Sequence, residues 1–442
     1  MTRSPVSPAD AGDRARIGAV LRRLAPMIYG PTVLFAFGEG AVLPLLPVMA
    51  ARLGADIAVA GLIASALVVG QLVGNIPAGW AVARFGERAT MAAAGVVALA
   101  GVAGLLWAPS IGVLAASVLI VGFCAAAFGL ARHSFMATRV PLVFRARALS
   151  LLGGTFRLGL FAGPFAAAAL LLLFDDERAA VWFFGVCLIG CVLLVLLGPD
   201  PEAQLAAPSR AAPTAGHARY GRHADGGEDS GEPVTGSIPT QARTGVFRTM
   251  WAHRDVLARL GLAAASVSAV RSARQLVLPL WGVSIGLDAA TIALVVGISG
   301  AIDFALFYAS GQVMDRFGRL WAALPAMTLM GLGFLALSAT HDLADADVWF
   351  AVFAMVVSVG NGLSSGILLT LGADTAPAAN PAPYLGSWRT LTDAGGAATP
   401  LLVSGVTAVW SISGAVALVG VIGLIGAVAL TRFIPRFSPR RG

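Results

Sequence analysis

Apolar residues run through this chain in long stretches broken by short polar segments. A helix needs about 20 such residues to cross a bilayer core of ~30 Å. Runs of that size fall at 25–52, 57–82, 89–108, 111–136, 148–174 and 180–198, and again at 257–285, 289–313, 320–339, 346–372, 384–408 and 411–433. Between the two sets lies a polar stretch rich in Pro, Gly, Ala and Ser ("APTAGHARYGRHADGGEDSGEP"). It cannot bury enough apolar surface to order itself. The pattern predicts an all-α integral membrane protein with 12 transmembrane helices. Its parts are a cytoplasmic tail over 1–24, a six-helix bundle over 25–198, a disordered cytoplasmic linker over 199–255, a second six-helix bundle over 256–433 and a tail over 434–442.

Composition strengthens this reading. Hydrophobic residues make up 57% of the 442 and charged residues 12%, where a soluble domain carries roughly 25% charged. Every long basic side chain is arginine, since lysine is absent. An Arg-, Ala- and Gly-rich chain of this kind fits a GC-rich bacterial genome, and hence the bacterial cytoplasmic membrane.

The net charge of +7 follows from membrane topology rather than nucleic-acid binding. Arginines cluster in the N-terminal tail (Arg3 to Arg23), in alternate loops (Arg84, Arg88; Arg139 to Arg147; Arg316, Arg319), in the linker and in the C-terminal tail. The opposite loops hold only Arg52 and Arg178, beside acids such as "HDLADAD" at 341–347. The positive-inside rule then puts both termini and the linker in the cytoplasm. The first residues have no short apolar core with a small-residue cleavage site, so they read as a tail and not a signal peptide. Cys124, Cys187 and Cys191 all lie in apolar runs without a CxxC pair, which favours packing over a disulfide or a metal site.

A shift of 232 residues superposes the halves. "LP" at 46–47 meets "LP" at 278–279, and Gly54 with Asp56 meets Gly286 with Asp288. "GWAVARFGE" at 79–87 meets "GQVMDRFGR" at 311–319, "GTFR" at 154–157 meets "GSWR" at 386–389, and Gly163 meets Gly395. One offset matching Gly, Pro and Arg over such a length implies two bundles related by a pseudo-two-fold axis along the membrane normal.

The two G-x-x-x-[AD]-R-F-G stretches fall in the short loops after helices 2 and 8, and they resemble the signature loop of the major facilitator superfamily. The resemblance covers essentially the whole chain. It implies alternating access, a central cavity lined by helices 1, 4, 7 and 10, and a cytoplasmic gate latched by the loop's acid and arginines. The second copy is complete (Gly311, Asp315, Arg316, Gly318, Arg319). The first keeps Gly79, Arg84 and Gly86 but has Ala83 for the acid and Glu87 for a basic residue. "GLFAGP" on helix 5, with Gly159, Gly163 and Pro164, is similar to the family's exporter-type motif. Ala167 and Ala168 replace its usual glycine pair and Ser150 its first glycine. The same residues also read as a Gly-x-x-x-Gly packing face with a proline kink.

Five arginines lie inside the apolar runs: Arg132, Arg157, Arg271, Arg274 and Arg389. Each costs about 2.5–3.5 kcal/mol at a helix centre on insertion scales, so they should face the protein interior or a wet cavity. The deep acids are Glu39, Asp303 and Asp393, with Asp374 near the cytoplasmic end of helix 10. Glu39 and Arg271 are repeat equivalents and are expected to meet across the cavity. Arg274 shares the face of Arg271 three residues on. Arg157 and Arg389 are equivalents, and Asp393 lies one turn beyond Arg389, within pairing reach. The expected substrate and proton site is therefore Glu39, Arg157, Arg271, Arg274, Asp303, Arg389 and Asp393. The alternative is a set of ion pairs that only tie helices together. Arg132 and His133, near the cytoplasmic end of helix 4, are expected to snorkel toward the interface.

No GxxxxGK[ST] or HExxH occurs, so neither ATP hydrolysis nor another enzymatic activity is indicated, and no cofactor or metal site is expected. The function expected is secondary active transport of a small molecule, as proton-coupled export, by a monomer whose other partners are protons and lipid. An uptake permease and a non-transporting membrane sensor are the alternatives.

Overall fold

The computed structural model describes residues 29–139, 142–198, 251–377 and 381–437. The linker segment 199–250 and most of both tails lie outside the described residues. Ten helices are long and apolar enough to cross a membrane. The longest, Ile57–Leu106, has 50 residues, or ~75 Å at 1.5 Å per residue, more than twice the bilayer core. It turns back at Gly86, whose backbone (φ 81°, ψ 168°) is not helical, and so supplies two spans. Pro381–Val409 adds another helix, whose apolar character is diluted by Arg389, Asp393 and several Thr, Ser and Gly.

The described residues thus form twelve helices. These are α1 (Tyr29–Arg52), α2 (57–85), α3 (87–106), α4 (Ile111–Arg139), α5 (Leu142–Phe174) and α6 (Arg178–Leu197), followed by α7 (Arg254–Ser284), α8 (Ala289–Phe317), α9 (Arg319–Ser338), α10 (Ala346–Thr375), α11 (Pro381–Val409) and α12 (Ile412–Phe437).

The 232-residue offset reappears in the backbone. Gly54 and Gly286 adopt positive φ (84° and 78°), as do Gly86 and Gly318 (81° and 96°), a region that favours glycine. Asp56 caps α2 by accepting from the Val59 amide at 2.7 Å, and Asp288 caps α8 by accepting from the Thr291 amide at 2.9 Å. The Thr291 hydroxyl also donates to Asp288 and holds its carboxyl below the usual carboxylate range, keeping the cap charged.

The glycines of α5 are packing residues. A Cβ on Gly163 would lie 2.5 Å from the Ala41 nitrogen and 2.5 Å from the Gly40 carbonyl carbon, both backbone atoms of α1. A Cβ on Gly159 would lie 2.6 Å from the Ala36 Cβ and 2.9 Å from the Val33 carbonyl oxygen and the Phe37 nitrogen of the same helix. In the other half, a Cβ on Gly395 of α11 would lie 2.5 Å from the Ala265 carbonyl oxygen of α7. Gly163→Ala is therefore expected to force α5 off α1, and overpacking of this kind costs roughly 1–3 kcal/mol. Gly153, on the same helix, has open space around it, and Gly153→Ala should leave stability unchanged or raise it. Unfolding midpoints of the two purified variants check this, and equal midpoints would mean that α1 and α5 can part without cost.

The halves meet where α5 packs on α8 and α2 packs on α11, with α7 touching α1 and α2. Phe161 of α5 stacks on Phe304 of α8 with centroids 5.1 Å apart. Phe165 covers Gly297 one turn further along the seam. Both contacts use chain positions of opposite direction, so α5 and α8 run antiparallel past each other.

Candidate functional site

Four of the seven expected residues gather at this seam. α7 carries Arg271 and Arg274 on one face. Arg274 is 8% exposed. Its guanidinium donates to Ser299 Oγ of α8 at 2.8 Å and to Ser358 Oγ of α10 at 3.1 Å, and it lies 3.6 Å from the Asp303 carboxylate of α8. Ser299 and Ser358 also bond to each other. Glycine lets α10 pack closely beside Asp303: a Cβ on Gly362 of α10 would lie 2.7 Å from the Leu306 Cβ and 3.2 Å from the Asp303 carbonyl oxygen of α8.

α10 is broken here. Ala346–Leu363 and Ile367–Thr375 are separate helical segments, and Gly366 between them takes the left-handed conformation (φ 80°). A broken helix frees carbonyls that must find donors. Arg271 donates to Ser364 O at 3.4 Å, and Ser310 Oγ donates to Leu363 O and Ser365 O at 2.7 and 2.8 Å.

Arg157 reaches the same place from the other half. Its guanidinium carbon lies 4.5 Å from the centre of the Phe307 ring of α8, a cation–π contact. Arg157, Arg271, Arg274 and Asp303 are all within electrostatic reach of one another. Arg157 thus belongs to a cluster of three guanidiniums around one carboxylate.

The other expected residues lie elsewhere. Glu39 does not meet Arg271. It is 3% exposed inside the N-terminal bundle, facing Val42, Leu67, Leu105, Val118, Val121 and Phe184, and its Oε1 has no hydrogen-bond partner among the described residues. The glycines on either side set the rotation of α1. Gly38 lies against Phe184 of α6 and Gly40 against Leu160 of α5. With successive residues about 100° apart, Glu39 turns into its own bundle rather than toward α7. Arg389 and Asp393 pair at 3.3 Å within α11, with side chains 74% and 61% exposed. They make no hydrogen bond or ion pair to the seam cluster among the described residues. Arg132 does not snorkel: it is 8% exposed within the N-terminal bundle, in electrostatic contact with Cys191. The three cysteines are buried and free, as packing residues are.

The signature loops take different partners in the two halves. Arg319 donates to Asp374 of α10 at 2.9 Å and to Met314 O at 3.1 Å. In the first half Arg88 donates to Val195 O, Leu196 O and Gly198 O at 2.8, 2.7 and 3.0 Å, neutralising the carbonyl end of α6. Glu87 accepts from Ser134 Oγ at 3.1 Å. Arg84 is exposed, and Arg316 lies over Phe317. Asp315 is in α8, with its side chain outside the described residues. Sequence reasoning missed Arg88, the three seam serines (Ser299, Ser310, Ser358) and the helix break. The stretch "NGLSSG" at 361–366 is the signal that could have revealed the break.

The family model of the Major Facilitator Superfamily matches residues 31–400. No curated protein matches the chain. Among solved structures, a peptide transporter POT in complex with sulfate is similar at TM-score 0.69 and 14% identity, over 93% of this chain and 94% of that one. A D-xylose–proton symporter is similar at TM-score 0.67 and 14% identity, over 94% and 98%. The xylose transporter XylE from E. coli, in a partially occluded inward-open conformation, is similar at TM-score 0.61 and 12% identity, over 92% and 98%. At these identities the likeness is one of fold.

Proposed function

The chain belongs to the major facilitator superfamily, and from that premise we propose that it is a proton-coupled secondary transporter of a small molecule, working as an exporter in the bacterial cytoplasmic membrane with both termini in the cytoplasm. The observation that carries this reading is Asp303, a titratable acid 3.6 Å from Arg274 at the seam between the halves. When the halves rock, the seam alternates between wet and closed surroundings, and a carboxylate moved between such surroundings changes its affinity for a proton. A substrate that draws the arginines away from Asp303 changes it again. Proton and substrate thereby compete through shared guanidiniums.

Export rests on the helix 5 motif. Uptake is the second reading, favoured because Gly159 and Gly163 are fully used in packing on α1, which leaves the motif no separate mark of direction. Purified protein in liposomes, given a pH gradient of either sign and a library of labelled solutes, tests both. Solute movement against its own gradient is the expected result, and its sign relative to the protons distinguishes antiport from symport. Tight, well-folded proteoliposomes that move no solute under either gradient overturn the reading.

A further inference from the structure

The seam cluster is out of charge balance. Three guanidiniums (Arg157, Arg271, Arg274) lie around one carboxylate, Asp303, which pairs with Arg274 alone, and Arg157 and Arg271 are half-buried. Arg274 is well provided for, with two serine hydroxyls and the carboxylate. The other two are not. Among the described residues Arg271 has a single long hydrogen bond, to a carbonyl at 3.4 Å, and Arg157 rests on an aromatic face. Neither holds an ion pair there. Charges removed from water without partners are costly, so an arrangement that keeps two such arginines side by side is suited to an incoming anion. Guanidinium groups also match carboxylate and phosphate in geometry, accepting bidentate pairing.

The apolar part of the site is aromatic. Phe161 and Phe304 stack across the seam, and Phe307 lies beneath Arg157, all within a turn or two of the charged groups. Flat rings on the two halves can slide apart and readmit a flat body between them, keeping offset-stacked contact. Resting on the transporter reading of the same site, we infer that the substrate is a dianionic organic molecule with a planar aromatic or apolar face. Its anionic groups take Arg271 and Arg157, and its face takes the place of Phe304 against Phe161.

Thermal unfolding of the purified full chain in detergent, with added small ions, tests this class. Phthalate, a planar aromatic dianion, should raise the unfolding midpoint at lower concentration than succinate or benzoate, which each lack one feature. Benzyltrimethylammonium should give no shift. Arg271→Gln should weaken the phthalate response about tenfold, the usual scale for one charge-assisted contact. Phe161→Leu should weaken phthalate and leave succinate unchanged. The wild-type series alone decides the sign: stabilisation by the cation and none by any anion overturns the proposal. So does a phthalate response that Arg271→Gln and Arg157→Gln leave intact, since the anion then binds elsewhere. The same preparations in liposomes separate this outcome from failure of the transporter reading. Proton-driven movement of the cation with no anion binding removes only the substrate class. Anion binding with no proton-driven movement of any solute removes only the transport.

Discussion

Arg274→Gln is expected to destabilise the protein by roughly 3–5 kcal/mol, the usual consequence of leaving a buried charge without its partner. The side chain lost serves Ser299, Ser358 and Asp303 at once, so three helices lose their common tie. Glutamine is long enough to reach one serine but carries no charge to set against Asp303. Chemical unfolding of the purified variant measures the loss. The double variant Arg274→Gln with Asp303→Asn should not recover it, because Arg157 and Arg271 then have no carboxylate within reach. A single variant as stable as the wild type would mean that Arg271 takes over the carboxylate, and that the serines contribute little.

The second large effect falls on transport. Asp303→Asn keeps the size of the side chain and most of its hydrogen bonding while removing the titration. The variant loses the charge that faces Arg274, so its unfolding midpoint should fall; the folded fraction should bind substrate and exchange it across the membrane, yet lose accumulation driven by a pH gradient. One pH unit is worth about 1.4 kcal/mol, or roughly tenfold accumulation at one proton per substrate, and this factor should fall to one. Counterflow and gradient-driven uptake in the same proteoliposomes read the two activities separately. Undiminished gradient-driven transport would take Asp303 out of the coupling and point to Glu39, the other deep acid.

Much of this was legible before any coordinates. The repeat offset named the glycine positions that turn out to have positive φ, and the capping aspartates at Asp56 and Asp288, because such local geometry depends on a few adjacent residues. Arg157, Arg271, Arg274 and Asp303 stood out because a charge in an apolar run needs a reason. What the repeat could not convey was rotation about a helix axis. Glu39 and Arg271 occupy equivalent places, but Gly38 and Gly40 fit α1 against α6 and α5 in a way that turns Glu39 inward. That rotation depends on which neighbours fill the glycine gaps, and this information is spread over the chain. The same holds for Arg88. Its partners are backbone carbonyls at the end of α6, and a carbonyl has no sequence signature. The serines of the seam were invisible for a related reason: Ser in a membrane helix usually bonds its own backbone, and only the break in α10 and the approach of Arg274 give Ser299, Ser310 and Ser358 other work.

The break in α10 has a mechanical consequence. The segment beyond it, Ile367–Thr375, is nine residues long, only ~13.5 Å at 1.5 Å per residue. At its near end, the carbonyls freed by the break are held by Arg271 and Ser310. At its far end, Asp374 is clasped by Arg319 of the signature loop, and the Leu368 carbonyl and Thr375 hydroxyl tie its flank to Trp388 and Tyr384 of α11. So short a rod cannot bend, and with its upper joint loosened it can pivot. On the substrate class inferred above it would act as a crank: an anion that drew Arg271 from its carbonyl would free one bearing, and the torque would reach the clasp at the far end. News of an occupied site would then need no long relay through packed side chains, because one stiff piece of backbone has one end at the arginine cluster and the other at the signature loop.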